Sequence, residues 1–247
     1  MTRAEHSAIV EEFTRTAELF DARTAARFDA MDVVGFSGLE PGGSILEAGS
    51  GTGNFLARFI GHAGTLIGVD LTPAMVAVAA KSHPEILSLV GSATHLPVRS
   101  AAMDLVACAQ MLHHVWEPAD VVREMRRATR PGGSVLIVDQ VAPESFEAAQ
   151  AMTALERLRD PSHAVSRPPS AYRLMAQSCG LEIVDERVHD QADSLSHWLA
   201  PEEFPEDRIG SVRDLIERHG GEMGMSFERH EDDWTFVRRR IMLLAKR

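Results

Sequence analysis

Short, almost uninterrupted apolar runs alternate with helix-like stretches through much of the chain. The runs have the length of buried strands and fall at residues 44–48, 64–70, 86–90, 104–109 and 134–139. Helical patterns between them begin at Thr72-Pro73 and at Pro118, where proline suits the first turn of a helix. Apolar strands that alternate with helices are typical of a parallel sheet covered on both faces. The pattern therefore predicts a doubly wound, mostly parallel α/β fold.

The flanking segments are less regular than this central repeat. Residues 4–34 predict an alanine-rich helix, and residues 143–169 contain a helical pattern at 146–158. Both look like additions over a ligand crevice. The rest of the chain predicts a helix at 170–178 closed by Gly180, a strand at 181–188, a helix at 206–219 and a last strand at 234–245. Residues 189–233 are otherwise uninformative, and no linker divides the 247 residues, so we expect a single domain, 1–247.

Composition narrows the class of protein without naming a ligand. Apolar residues make up 45% of the chain and the formal net charge is −11, so a full core is expected and nucleic acid is a poor partner. The start lacks the apolar core of a signal peptide, and no apolar run reaches membrane-span length. We therefore expect a cytoplasmic protein. Cys108 and Cys179 are not spaced as metal ligands are, and the sequence has no pair of histidines at helical spacing. It therefore does not predict a metal site.

A glycine-rich loop follows the first predicted strand, and residues 54–59 after the loop predict the start of a helix. The loop reads Glu47-Ala48-Gly49-Ser50-Gly51-Thr52-Gly53, and Asp70 ends the next strand, where a carboxylate can accept hydrogen bonds from ribose hydroxyls. Ligands of open parallel sheets bind beyond the carboxyl ends of the strands, which places residues 110–114 on the same rim. A dinucleotide fingerprint would need glycine at position 54, which is Asn54. This departure disfavours NAD, and an acid beside the loop better suits a cationic or amino-acid ligand.

Several motifs in this order resemble those of class I S-adenosylmethionine-dependent methyltransferases. They are residues 47–53, 68–75, 104–106, 112–115 and 130–134. The chain is most similar to the small-molecule branch related to ubiquinone and menaquinone C-methyltransferases, over roughly residues 10–188. The resemblance implies a Rossmann-like sheet with a C-terminal antiparallel strand. It divides the chain into an N-terminal helical lid (1–43), a cofactor-binding core (44–141), a covering segment (142–169) and a C-terminal part of the sheet with a substrate-side insertion (170–247).

The resemblance also implies cofactor contacts. Gly49, Gly51 and Gly53 would lie against the methionine part of S-adenosylmethionine, with Glu47 near its amino group. Asp70 would hold the ribose hydroxyls, and the residues expected around the adenine and along the rim are Leu71, Met75, Ser92, Ala93 and Gln110. Ser92 stands where the family often has aspartate, and Phe20 stands where relatives often have tyrosine. The usual side-chain acceptor for the adenine amino group and a phenolic contact from the lid are therefore in question.

Histidines supply the candidate catalytic groups, because imidazole titrates near neutral pH. His113, His114 and His163 are candidate general bases, and a structural role is the alternative for each. Adjacent residues of an extended segment point to opposite sides, so at most one of His113 and His114 is expected to face the pocket.

These observations favour methyl transfer from S-adenosylmethionine to an O, N or C nucleophile of a small organic molecule, with S-adenosylhomocysteine as the second product. A cofactor-binding enzyme that catalyses cyclisation or rearrangement is the alternative, and a regulatory cofactor-binding protein is a third class. The acceptor cannot be identified from the sequence, and a homo-oligomer stays open.

Overall fold

The computed structural model describes residues 3–200, 204–231 and 233–247. Over this part of the chain an eight-stranded mixed sheet has the order β3-β2-β1-β4-β5-β8-β6, with β7 paired to β8. The strands are β1 Ser44–Ala48, β2 Thr65–Asp70, β3 Leu87–Val90, β4 Met103–Ala109, β5 Thr129–Gln140, β6 Glu182–Ser194, β7 Glu228–His230 and β8 Asp233–Lys246. The helices are α1 Arg3–Thr24, α2 Val33–Ser37, α3 Pro73–Ser82, α4 Pro118–Ala128, α5 Phe146–Arg159, α6 Pro169–Ser178, α7 Leu195–Leu199 and α8 Glu206–His219.

The order of strands reverses between β1 and β4. Strand β1 pairs in parallel with β2 on one side and with β4 on the other. Strand β5 continues the parallel sheet, and the C-terminal strand β8 pairs with it in the antiparallel sense. The connections leave β1 and β4 in opposite directions along the sheet, which opens a crevice at their carboxyl ends. The predicted fold class is confirmed, including the antiparallel last strand.

Separate apolar cores cover the two faces of the sheet. One joins Val106 and Ile137 to Met125 of α4 and Tyr172 of α6. The other packs Leu105 and its neighbours against α2 and the segment after the glycine loop. Since each central strand contributes buried side chains to both faces, the apolar runs lack the alternation of a half-exposed strand.

A third core lies beyond the central sheet. Strands β6 and β8 remain paired past the end of β5, as far as Ser194 and Thr235. Phe236 on this extension packs with Trp198 of α7 and with residues of α5 and α8. The C-terminal region therefore adds a small α/β layer to one end of the sheet.

Two predicted helices end earlier than expected. The helix predicted for residues 4–34 ends at Thr24, because Asn54 Nδ2 donates to the Asp21 carbonyl at 3.0 Å and occupies the acceptor that the next turn would use. The helix expected from Asn54 onward is a 3₁₀ turn, Leu56–Phe59. It stops because Ile60 is extended and Gly61 follows in the left-handed region, at φ 81°.

Two strands are longer than expected. Strand β5 begins at Thr129 rather than residue 134, and an irregularity opposite Met103 and Leu105 accommodates the Pro131-Gly132-Gly133 turn. Strand β6 runs to Ser194 rather than residue 188, because pairing with β8 supports a segment whose polar side chains face water. No helix in the described residues is long and apolar enough to span a bilayer.

Replacing Met125 by alanine should lower the free energy of unfolding by about 2–4 kcal/mol, because the side chain is fully buried in the first core. Urea unfolding followed by circular dichroism measures the loss. Arg123→Ala on the exposed side of the same helix is the control, and its change should stay within about 0.5 kcal/mol. Equal losses in the two variants would contradict the assigned packing.

Candidate functional site

The glycine loop adopts backbone angles that favour glycine. Gly49, Gly51 and Gly53 have φ values of 73°, 52° and 85°. A Cβ at Gly49 would lie 2.4 Å from Met111 Cγ, whereas the nearest atom to a Cβ at Gly51 would be a Phe20 ring carbon at 3.8 Å. The loop is therefore tightly packed where it leaves β1 and open toward the crevice at its centre.

Glu47 is buried at the edge of this loop. Its Oε2 has no hydrogen-bond partner, and the side chain accepts from the backbone N–H of Leu56. Burial, with the neighbouring charge of Asp70, raises the pKa of Glu47 well above its usual value. A cation beside Oε2 would satisfy this oxygen and stabilise the ionised carboxylate.

Asp70 joins the glycine loop to the start of α3. Its Oδ2 accepts from Gly51 N–H and its Oδ1 from Thr72 N–H, each at 2.8 Å. Burial raises the pKa of Asp70, while these hydrogen bonds favour its ionised form. Thr72 occupies the predicted N-cap position of α3, but its side chain makes no capping hydrogen bond. Asp70 thus has a structural role, and each carboxylate oxygen keeps acceptor capacity for a ligand.

The first cavity lies over the glycine loop and encloses about 950 Å³, part of it open to solvent. Helix α1 covers it with Phe13, Phe20 and Thr24 among others. The predicted site residues that line it are Glu47, Gly49, Gly51, Asp70, Leu71, Met75, Ser92, Ala93, Gln110 and His114. Gly53, His113 and His163 lie outside its wall. Ser92 Oγ is hydrogen bonded to Thr94 Oγ1 at 2.9 Å and remains available at the rim.

Gln110 follows β4 in a conformation that is uncommon for a residue other than glycine. Its φ is 53°, and its N–H donates to the Val138 carbonyl at 2.7 Å. The side-chain Nε2 is buried without a hydrogen-bond partner. A strained backbone conformation together with an unsatisfied hydrogen-bond donor in the same residue is typical of a functional site.

The second cavity is polar and adjoins the first. It encloses about 640 Å³, and its wall includes Phe13, Phe20, Arg27, Gln110 and His114, which also line the first cavity. The remaining wall residues are Glu12, Thr16, His113, Gln140, Glu156, Arg159, Asp160, His163 and Arg238. The shared wall makes the two spaces parts of one crevice.

The expectation that at most one of His113 and His114 faces the crevice is wrong. Both line the second cavity, with ring centroids 4.2 Å apart. Residues 112–114 form a 3₁₀ turn rather than an extended segment. Successive side chains of such a turn are about 120° apart, so both can reach one space.

Each histidine has a different set of partners. His113 Nδ1 lies 2.6 Å from Asp139 Oδ1, and His114 Nδ1 lies 3.0 Å from Ser162 Oγ, which donates to Asp160. Both ring nitrogens of His163 are engaged. Its Nδ1 lies 3.4 Å from Gln140 Nε2 and its Nε2 lies 3.0 Å from Ser166 Oγ. His163 is therefore held as a structural residue of the wall.

Burial sets the protonation of this cluster. It raises the pKa of Asp139 to about 6. It also lowers the pKa of His113 well below its usual value, and the nearby His114 adds to this effect. Burial lowers the pKa of His163 to about 2, and the neighbouring rings of His113 and His114 add to this effect. At neutral pH, His113 and His163 are therefore neutral and Asp139 is ionised. His113 then donates from Nδ1 to Asp139 and keeps the lone pair of Nε2.

Comparison with known proteins places the chain in a family. A family model described as a methyltransferase domain matches residues 46–137. The Bacillus subtilis (strain 168) protein named uncharacterized methyltransferase YcgJ is 30% identical over 169 residues, which cover 66% of this chain and 67% of that protein. The chain belongs to the S-adenosylmethionine-dependent methyltransferases. The family resemblance predicted from the loop and strand motifs is confirmed.

Further similarities concern other members and the fold of this methyltransferase. A demethylmenaquinone methyltransferase of Renibacterium salmoninarum is 28% identical over 170 residues, covering 68% of this chain and 69% of that protein. The crystal structure of YcgJ matches with a TM-score of 0.79 at 23% identity, over 87% of this chain and 95% of that one. The [4+2]-cyclase SpnF matches with a TM-score of 0.60 at 18% identity, over 95% and 81%. The structural matches show a shared fold and leave the acceptor open.

Several residues of the methyltransferase crevice escaped sequence prediction. Asp139 is the last residue but one of β5 and Asp70 is the last residue of β2, so an acid after an apolar run was the available signal. Asn54 Nδ2 donates to Asp21, Thr24 and Thr52, which fixes the end of α1 against the glycine loop. Among the described residues, no three or more His, Cys, Asp or Glu side chains are placed so that they could hold one metal ion.

The buried charge of Asp139 should give the stability of this methyltransferase a measurable pH dependence. The folded pKa is about 6 and the usual value is 3.8, so the folded state binds more protons between these values. The contribution of Asp139 to stability should therefore fall as pH rises through this window, by at most about 3 kcal/mol, whereas the buried His113 and His163 contribute in the opposite direction because the unfolded state binds protons at these rings. Urea unfolding of the wild type and of Asp139→Asn at pH 4 and pH 7 isolates the contribution of Asp139.

Asp139→Asn removes this contribution, so its stability relative to the wild type should rise by up to about 3 kcal/mol from pH 4 to pH 7, whatever its absolute stability. Asp104→Asn is the control, because Ser44 and Arg130 lower the pKa of Asp104 to about 2 and its titration lies below the window. An unchanged difference in Asp139→Asn would show that another group titrates there.

Proposed function

We propose that this enzyme transfers the methyl group of S-adenosylmethionine to a small organic acceptor bound in the second cavity. The observation that supports this proposal most directly is the wall that the two cavities share. It is formed by Phe13, Phe20, Arg27, Gln110 and His114. A donor over the glycine loop and an acceptor beside the histidines would meet at this wall. Holding both reactants in line replaces a bimolecular encounter with a near-attack geometry.

The first cavity has groups that suit each part of the cofactor. The unpartnered Glu47 Oε2 would accept from the amino group, and the open face of Gly51 leaves room for the backbone to lie against the methionine part. Asp70 would accept from the ribose hydroxyls. Met75 and Leu71 line the cavity where the adenine would pack, with Ser92 and Ala93 beside it. Gly53 would contribute to the shape of the loop.

When bound, S-adenosylmethionine supplies a methyl carbon that is activated by a positively charged sulfur. The acceptor atom forms a bond to this carbon while the carbon–sulfur bond breaks and its electron pair stays with sulfur. A hydroxyl or acidic carbon must also lose a proton, and a nearby imidazole can take it. The enzyme's residues thus position both molecules, exclude water under α1 and accept the proton.

His114 is the best-placed base of the three histidines. It alone among them lines both cavities. Ser162 occupies its Nδ1, and its Nε2 lies 4.0 Å from Asp160 Oδ2, which is beyond hydrogen-bond distance. His113 is the second candidate, with Asp139 fixing its tautomer. His163 uses both nitrogens within the wall and would act only through its neighbours.

Cofactor binding should release protons from Glu47. Burial raises the pKa of this carboxyl well above its usual value, and an adjacent ammonium would lower it again by favouring the ionised form. Titration calorimetry with S-adenosylmethionine in buffers of different ionisation enthalpy measures the protons exchanged. Glu47→Gln should release fewer protons and bind about tenfold to a hundredfold more weakly.

Ser92→Ala is the matched control for this titration, since it lies on the adenine side of the cavity and should keep the proton release of the wild type. Proton release that is equal in Glu47→Gln and wild type would remove Glu47 from the amino-group site. Failure of the wild type to bind at millimolar concentration would refute the cofactor assignment.

His114→Gln should reduce methyl transfer about a hundredfold or more, the usual effect of losing a general base. The assay supplies methyl-labelled S-adenosylmethionine with a small-molecule cell extract and counts labelled product and S-adenosylhomocysteine. His163→Gln is the control and should lose less than about tenfold. A fully active His114→Gln variant that still binds cofactor would exclude His114 as the base.

The same assay separates the alternative functions. Product formation without S-adenosylhomocysteine would favour cyclisation or rearrangement, a reaction class consistent with a fold that the SpnF cyclase shares. Cofactor binding with no product from any extract, together with a stable partner complex, would favour a regulatory protein.

A further inference from the structure

Unsatisfied donors lie in the wall of the second cavity. Arg238 Nε and Gln110 Nε2 are both buried and have no hydrogen-bond partner. A buried donor without an acceptor is costly, so native structures pair such groups with protein, water or ligand. The missing partner of both groups is an acceptor. An acceptor-rich ligand group therefore fits beside these two donors.

Arg238 is rigidly placed to receive such a group. It projects from β8, and its Nη2 donates to Asp193 Oδ2 on β6 at 2.6 Å. Side chains on strands are positioned more firmly than those on loops, and this ion pair fixes the plane of the guanidinium. Its Nε remains for a ligand.

Arg159 contributes a second guanidinium to the same cavity. Its Nε donates to the Trp198 carbonyl at 2.8 Å, and its guanidinium carbon lies 5.3 Å from the centroid of the Trp198 indole. In the part of the chain that the structure describes, its terminal nitrogens make no hydrogen bond. Arg159 and Arg238 are thus both anchored to the segment from Asp193 to Trp198 and both line the cavity.

Two carboxylates of this cavity are engaged by hydrogen bonds within the protein, whereas the Oε1 atom of Glu156 makes no hydrogen bond to the described residues. Glu12 bonds Arg15 at 2.6 Å, and Asp160 accepts from the N–H and the hydroxyl of Ser162. Glu156 adds a negative charge near Arg240, which is buried next to Arg238. Burial, followed by the charge of Arg238, lowers the pKa of Arg240 to about 10. The charge of Arg238 is partly balanced by Asp193, and Arg159 supplies a second positive charge in the cavity wall.

We propose that the methyl acceptor is a small carboxylic acid whose carboxylate binds Arg238 and Arg159. Arginine is suited to this task because its planar fork matches the geometry of a carboxylate. The nucleophilic group of the same molecule would lie toward Gln110 and His114, at the wall shared with the cofactor cavity. This substrate class rests on the proposed function and extends it.

Matched acids and amides test the proposal directly. The probes are hydroxybenzoates, small hydroxy acids and N-blocked amino acids, each paired with its neutral amide. Binding to the enzyme saturated with S-adenosylhomocysteine is measured by ligand-observed NMR titration. At least one acid should bind more than tenfold more tightly than its amide, and any acid that is methylated should show the preference in KM. Binding of no acid, or equal binding of acids and amides, overturns the proposal.

Variants assign the preference to the named arginines. Arg238→Gln and Arg159→Gln should each reduce the acid-over-amide preference at least fivefold, and Arg238→Lys should restore part of it. Arg239→Gln is the control, because Arg239 is exposed, pairs with Asp190 and lies outside the cavity wall. Circular dichroism and an unchanged dissociation constant for S-adenosylhomocysteine show that the variants are folded. A preference that persists in the double variant overturns the assignment, whereas loss of cofactor binding in the wild type would instead count against the proposed function.

Discussion

Desolvated carboxylates at the carboxyl ends of neighbouring parallel strands are the constraint on which this crevice depends. Glu47 on β1 and Asp139 on β5 are buried, Asp70 on β2 is half-buried, and desolvation raises the pKa of each. Charge in such a position is tolerated only when hydrogen bonds or opposite charges compensate it. Backbone N–H groups supply much of this compensation, and the open strand ends leave the remainder to a ligand. The chemistry of the crevice follows from that incomplete compensation.

The central sheet and the glycine loop were predictable because their signals are local. The apolar runs of β1, β2 and β4 and the alternating glycines need no knowledge of distant contacts. The polar β6 was only partly predictable, since its pairing with β8 joins segments far apart in the chain. The histidine geometry was also inaccessible, because a 3₁₀ turn at residues 112–114 has the same composition as an extended segment.

Asn54 shows how a sequence departure can have a structural meaning. In the sequence, Asn54 was informative because a dinucleotide-binding fingerprint would have its third glycine at that position. In the structure its amide contacts the end of α1, the glycine loop and His83 Nε2, the last at 3.3 Å. The residue that distinguishes this loop from a dinucleotide site therefore also positions the end of α1 over the glycine loop. A fingerprint alone gives no indication of this second role, because its partners lie some 30 positions away.

The long β6–β8 ribbon separates two tasks in space. The glycine loop and Asp70 belong to the parallel half of the sheet, whereas Arg238 and the segment around Trp198 belong to the ribbon and its own core. Residues far apart with no shared partners usually contribute independently to stability. Substitutions in the ribbon can thus change the shape of the second cavity while the glycine loop of the first cavity keeps its conformation.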